Sequence, residues 1–151
     1  MKNKKRPVCH EVTIHYKRPL YASRPKVNSS EDAYKYIKMI IDNNRMDYTE
    51  TFYVLTLTNA NRLLTVSYIG LGNARGVVVN RKEIFQTCLL MNAVNFVVAH
   101  THPSGMLSPS SRDLTMTAEL KEGAKLLDLE LLDHLIITSE GYYSIADKGQ
   151  L

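Results

Sequence analysis

Phe96-Val97-Val98-Ala99-His100-Thr101-His102-Pro103-Ser104-Gly105 is the stretch from which the rest of the chain can be read. Its short apolar run fits a strand buried on both faces. Side chains alternate along a strand, so His100 and His102 point the same way. Pro103 and Gly105 then end the strand and turn the backbone. Two imidazoles on one face at a strand end can both reach one ion, at a Zn–N distance of roughly 2.0–2.1 Å. Asp113 falls in the first turn of the helix expected next, where its carboxylate can swing back as a third ligand. Three protein ligands with a fourth position open are the pattern of a catalytic zinc site, not a structural one. Histidine and carboxylate also argue against a soft-metal or thiolate site. The competing reading is that two histidines at a strand end are hydrogen-bonded packing residues.

Working outward, Asn28-Ser29-Ser30-Glu31-Asp32 reads as a helix start, a capping hydroxyl followed by first-turn acids. Ala33, Tyr34, Ile37, Ile40 and Ile41 follow helical spacing, and that helix is expected to end near Asn43-Asn44. Thr51 to Leu57 and Arg62 to Ile69 read as a hairpin turned at Thr58-Asn59-Ala60-Asn61, with Gly70 and Gly72 stopping the second strand. A short strand at Arg75–Val79 and a helix over 81–94 precede the histidine strand. A third helix over 110–127 and two strands, Leu131–Thr138 and Tyr142–Ile145, follow it. Val8 to Tyr16 alternates and reads as a single edge strand. The order β-α-ββ-β-α-β-α-ββ points to an α/β (α+β) fold, a mixed sheet flanked by helices.

Composition sets the outer bounds. The chain has 151 residues, 44% hydrophobic and 23% charged, which excludes wholesale disorder and suits one domain with a single core. No apolar run approaches a membrane span, and no apolar segment follows the basic N-terminus as in a secretory signal. Cys9 and Cys88 cannot make a disulfide framework, and Cys88 sits on a core-patterned helix face as a packed small hydrophobe. The expectation is a soluble cytoplasmic protein. Residues 1–27 carry eight basic side chains against one acid, a net of +7, so the rest of the chain sums to −3. A basic arm can hold nucleic acid by counterion release, although charge runs are more often solvated tails. The organisation expected is this arm (1–27) followed by one domain (28–151).

His-Thr-His-Pro-Ser-Gly followed by Pro109-Ser110-Ser111-Arg112-Asp113 resembles the H-x-H-P…S-x-x-D signature of the JAMM/MPN+ metalloprotease-like domains. The nearest likeness is to the bacterial RadC branch. It runs from about Ser29 to the C-terminus, roughly four-fifths of the chain, and takes in Asn92-Ala93, Asp133-His134 and Tyr142-Tyr143-Ser144. RadC proteins usually carry Asn between the two histidines, so Thr101 sits nearer the wider JAMM pattern. The helix-hairpin-helix segment that precedes the domain in longer RadC proteins is not found, which weakens any inference to DNA.

The resemblance implies a JAMM/MPN-like, cytidine-deaminase-like mixed sheet. It also implies zinc held by His100, His102 and Asp113, with water in the open position. Such a metal lowers the pKa of bound water toward about 7. A carboxylate must then carry the proton to the leaving group. Glu50 and Glu83 compete for that role. Glu83 opens the second helix, where a first-turn acid is ordinary dipole complementarity. Glu50 stands at the mouth of the strand Thr51–Leu57, the place of the catalytic glutamate in the JAMM pattern, and is preferred. Ser110 resembles the family serine that donates to the developing oxyanion. It also reads as an N-cap whose box Asp113 completes, and there the two roles of Asp113 conflict.

Asp133-His134 could orient a ligand from behind the site, but adjacent strand residues face opposite ways, so a structural role is favoured. Thr101 and Ser104 shape the strand end and the loop. His10 and His15, in the arm, read as surface residues. The leading expectation is a zinc-dependent hydrolase acting on an unidentified peptide or isopeptide-like substrate. The alternatives are a nucleic-acid-binding or repair accessory that uses the arm, with a non-catalytic metal site, and an interaction domain that pairs as a homodimer through an edge strand.

Overall fold

The structure, a computed structural model, describes residues 13–72 and 79–151. Cys9, His10, residues 1–12 of the basic arm and all but Val79 of the expected strand at Arg75–Val79 lie outside these residues. The described chain forms α1 (Ser30–Lys38), β1 (Thr51–Leu57), β2 (Leu63–Leu71), α2 (Arg81–Leu90), β3 (Asn95–Thr101), α3 (Ser111–Lys125), β4 (Glu130–Thr138) and β5 (Gly141–Ser144). A single 3-10 turn at Tyr21–Ser23 precedes them. The five strands make one mixed sheet in the order β2-β1-β3-β4-β5, antiparallel throughout except for the parallel pair β3 and β4. The expected α+β architecture is therefore present. Among the described residues no helix is long and apolar enough to cross a membrane.

Strand alternation sorts the core into two layers. Tyr53, Leu55 and Leu57 of β1, with Val97 and Ala99 of β3, pack with Ala33, Ile37 and Ile41 on the α1 side. Phe52 and Val54, with Phe96 and Val98, pack with Ile84 and Cys88 of α2 and Leu120 and Ala124 of α3 on the other. Every residue of β3 is buried, as its apolar run requires. Phe52 and Phe96 are both fully buried, and truncating either to alanine would cost about 3–5 kcal/mol. Continuing the alternation, His100 belongs to the α2/α3 face beside Phe52, and Thr101 to the α1 face.

Several boundaries differ from the sequence reading. α1 starts as expected, with the Ser29 hydroxyl accepting from the Asp32 amide and the Asp32 carboxylate accepting from the Asn28 amide. It stops at Lys38 rather than near Asn43, because Asp42 takes the Asn44 amide into a local turn that competes with the helix. α2 ends at Leu90, not 94. Asn92 instead adopts a left-handed φ of 48° and closes the helix: Ala93 donates to the Cys88 carbonyl and Asn92 to that of Leu89. Asp128, at φ 53°, does the same after α3. Gly70 does not stop β2; it pairs with Phe52 beside a bulge that absorbs one residue.

The edge strand expected over Val8–Tyr16 is absent from its described part. Residues 13–16 carry no strand, and Ile14 is 92% exposed, so its alternation has no face to bury. The sheet edge is met later, where Lys26 bridges Arg62, Val27 donates to the Asn61 carbonyl and Leu63 donates to that of Pro25.

Candidate metal centre

The parallel pairing of β3 with β4 carries the histidine segment to the edge of the core. His100 lies opposite Ile136, and the His102 amide extends the ladder by donating to the Ile137 carbonyl at 2.9 Å. Beyond it Gly105, at φ +77°, makes the turn for which glycine is suited. That turn brings the Met106 carbonyl back to 2.9 Å from His102 Nδ1. From α3 the carboxylate of Asp113, buried at the third helical position, reaches the same point.

His100 Nε2 and His102 Nε2 are 2.8 Å apart, His100 Nε2 is 3.2 Å from Asp113 Oδ1, and His102 Nε2 is 3.5 Å from Asp113 Oδ2. Four ligands tetrahedral about zinc stand about 3.3 Å from one another at ordinary bond lengths. The observed spacing therefore fits one ion with little movement. Among the described residues this is the one such cluster of three or more His, Cys, Asp or Glu side chains. The donor set is two imidazoles and a carboxylate, which suits zinc or another borderline divalent ion.

The outer nitrogens of both rings are taken, which aims the inner ones. His102 Nδ1 donates to the Met106 carbonyl. His100 Nδ1 lies 2.8 Å from His134 Nε2, and the other nitrogen of His134 lies 2.6 Å from the Thr117 hydroxyl. Phe52 lies face-on to His100 and presents itself edge-to-face to His134. The sequence favours a structural role for the Asp133-His134 pair, and the structure sets the His134 ring against His100. Adjacent strand residues do face opposite ways, but the result is that His134 alone enters the site. Asp133 points to the α1 side, where Ser144 and the Ala146 amide donate to it.

Charge is distributed unevenly. Burial pulls the Asp113 carboxyl up, but hydrogen bonds from His100, His102 and Ser110 outweigh it and hold the group well below the usual carboxylate range. His102 is raised, chiefly by its hydrogen bond to Asp113 and against its burial, with the Met106 carbonyl and the charge of Glu50 adding to the shift. Burial pushes the fully enclosed His134 well below an ordinary imidazole.

The two readings of Ser110 and Asp113 coexist, because the carboxylate has two oxygens. Oδ2 accepts from the Ser110 amide at 2.7 Å and from its hydroxyl at 2.6 Å, while the Asp113 amide donates to Ser110 Oγ at 3.2 Å, a complete capping box. Oδ1 is the oxygen turned to His100. Glu50 is half-buried directly before β1, and its charge bears on His102. Glu83 is exposed at the third position of α2. Cys88 is buried in the core as expected, and His15 is exposed.

The fold is thus a helix-flanked mixed sheet that brings two histidines from a strand end and an aspartate from α3 into one group able to hold a metal ion. Comparison with known proteins gives it a family. The family model of the RadC-like JAB domain matches residues 27–150, and the chain belongs to that family. A UPF0758 protein of Flavobacterium johnsoniae is 36% identical over 124 residues, which is 82% of this chain and 53% of that protein. A UPF0758 protein of Aquifex aeolicus is 35% identical over 129 residues, 85% of this chain and 54% of its own length. One from Methanosarcina mazei is 35% identical over 126 residues, 82% and 53% of the two chains. The chain thus spans about half the length of the curated relatives it matches.

Proposed function

We propose that the protein is a zinc-dependent hydrolase of the JAMM type, acting on a peptide or isopeptide-like amide. The observation that carries this reading is the convergence of His100, His102 and Asp113 with every outer imidazole nitrogen already partnered. Those three side chains would hold the zinc, which when bound supplies a Lewis acid and an activated water at neutral pH. Glu50 is the proposed general base and acid. Its place at the mouth of β1 and its electrostatic reach to His102 support it over the exposed Glu83. Ser110 is the proposed oxyanion donor; to serve, its hydroxyl turns from Asp113 Oδ2 toward the substrate while its amide keeps the cap.

The test uses libraries of fluorogenic peptides and lysine-linked isopeptides with the zinc-loaded chain. Glu50→Gln should keep its zinc and lose about 10²–10⁴-fold in turnover, the usual worth of a general base. Turnover that survives in Glu50→Gln and vanishes in Glu83→Gln would transfer the base to Glu83. Turnover indifferent to chelation would contradict the metal-dependent reading.

A further inference from the structure

We infer that His134 is a positioning residue for the candidate centre, an imidazole that accepts a hydrogen bond from His100 Nδ1 and so leaves Nε2 as the nitrogen His100 offers to a metal. The inference rests on the reading of His100 as a ligand, and it comes from counting protons along a buried chain.

The chain begins at the backbone of the third ligand. The Asp113 carbonyl can only accept, so at 2.6 Å the Thr117 hydroxyl spends its single proton there. Thr117 Oγ1 must then accept from His134 Nδ1, 2.6 Å away, and that nitrogen carries a hydrogen. His134 is fully buried, and its two nitrogens meet only a hydroxyl and another imidazole, so no carboxylate compensates a second proton. Its Nε2 is therefore a bare acceptor. Across 2.8 Å stands His100 Nδ1, which must supply the hydrogen. With Nδ1 committed to His134, His100 turns Nε2 toward His102 and Asp113, where a metal would take it.

The relay closes a loop through three elements. It leaves α3 at Thr117, crosses β4 at His134 and returns through β3 at His100 to face the carboxylate of α3 again. Ligating histidines commonly give their outer N–H to a carboxylate, a backbone carbonyl or water. His102 follows that habit with the Met106 carbonyl, whereas His100 gives its proton to a second imidazole. The register of β3 against β4 makes this possible: Val98 lies opposite His134, which places the ring in the same pleat as His100.

Two measurements on the full chain test the relay. The first is long-range ¹H–¹⁵N correlation of the imidazoles, which reads tautomers directly and needs no variant. His134 and His100 should both be protonated on Nδ1, and zinc should move the Nε2 resonance of His100 but leave His134 without a metal bond. A hydrogen on His134 Nε2 would overturn the inference. The second is zinc competition against a chromophoric chelator. His134→Leu, which removes the acceptor, should weaken zinc binding by about 10- to 100-fold. His134→Gln, whose carbonyl can accept from His100, should recover most of that loss, a rescue that packing alone would not produce. His134→Leu binding as tightly as the wild type, or Gln and Leu weakened alike, would contradict the positioning role. Should the wild type itself bind no zinc, the hydrolase reading fails, while the tautomer pattern of the metal-free chain still decides the relay.

Discussion

The hydroxyl of Thr101 lies 2.9 Å from the amide nitrogen of Thr51 and accepts its hydrogen bond across the top of β1 and β3. The same oxygen is 3.0 Å from the Thr51 hydroxyl and donates to the Thr49 carbonyl at 3.2 Å. It thus fastens the backbone on both sides of Glu50, from the face of β3 opposite His100. All three threonines are buried. Thr101→Val keeps the shape and strands the Thr51 amide, which should cost about 1–3 kcal/mol in urea unfolding. Thr101→Ser should retain most of that stability, and equal unfolding midpoints for the wild type and Thr101→Val would contradict the clamp.

Asp133 predicts a pH effect of defined sign. Burial pushes its carboxyl above the ordinary value of 3.8, against hydrogen bonds from Ser144 and the amides of Ala146 and His134. Between the unfolded and folded values the folded chain holds a proton that the unfolded chain has released. The stability this brings is complete below the unfolded value and is lost as pH rises through the folded one. Asp133→Asn cannot ionise, so its stability relative to wild type should improve as pH rises through that window. A difference that stays constant with pH would contradict the buried-carboxyl account.

Cys88 should be inert in the native protein. Burial in the core pushes its thiol up to about 12, leaving little thiolate to react. In a Cys9→Ser background, a disulfide-exchange reagent should modify Cys88 at least about 100-fold more slowly in the folded chain than in guanidinium. Equal rates would mean that α2 does not stay packed against the sheet.

Ser110→Ala separates the cap from the chemistry. Losing the capping hydroxyl should cost about 1 kcal/mol of stability. Zinc should be retained, because Asp113 Oδ1 keeps its direction toward His100. On the proposed mechanism turnover should fall about 10²–10³-fold. Loss of zinc in this variant would instead make the capping box part of the metal centre.

The extent to which sequence foretold these features depends on the range of the interaction involved. His100, His102 and Asp113 were legible because strand alternation and a helix cap are local, and the burial of β3 on both faces was legible from its own apolar run. The ends of α2 and α3 turn on single left-handed residues, Asn92 and Asp128, whose composition hints at a cap without saying which residue adopts it. The alternation of Val8–Tyr16 suggested a strand, but in its described part, residues 13–16, it finds no neighbour to pair with, and the sheet edge is met by Lys26 bridging Arg62. The approach of His134 to His100 follows from the parallel register of β3 and β4, which no local pattern reveals. The conflict foreseen at Asp113 dissolves once its two oxygens are seen to divide the work.

The most direct test of the central claim is the metal content of the purified, untagged chain by elemental analysis, set beside His102→Ala. The account predicts about one zinc per wild-type chain, lost in the variant, since His102 supplies one of three protein ligands at an open site. A wild-type chain that holds no metal after zinc is supplied and the excess removed, or a variant that holds as much, would contradict it.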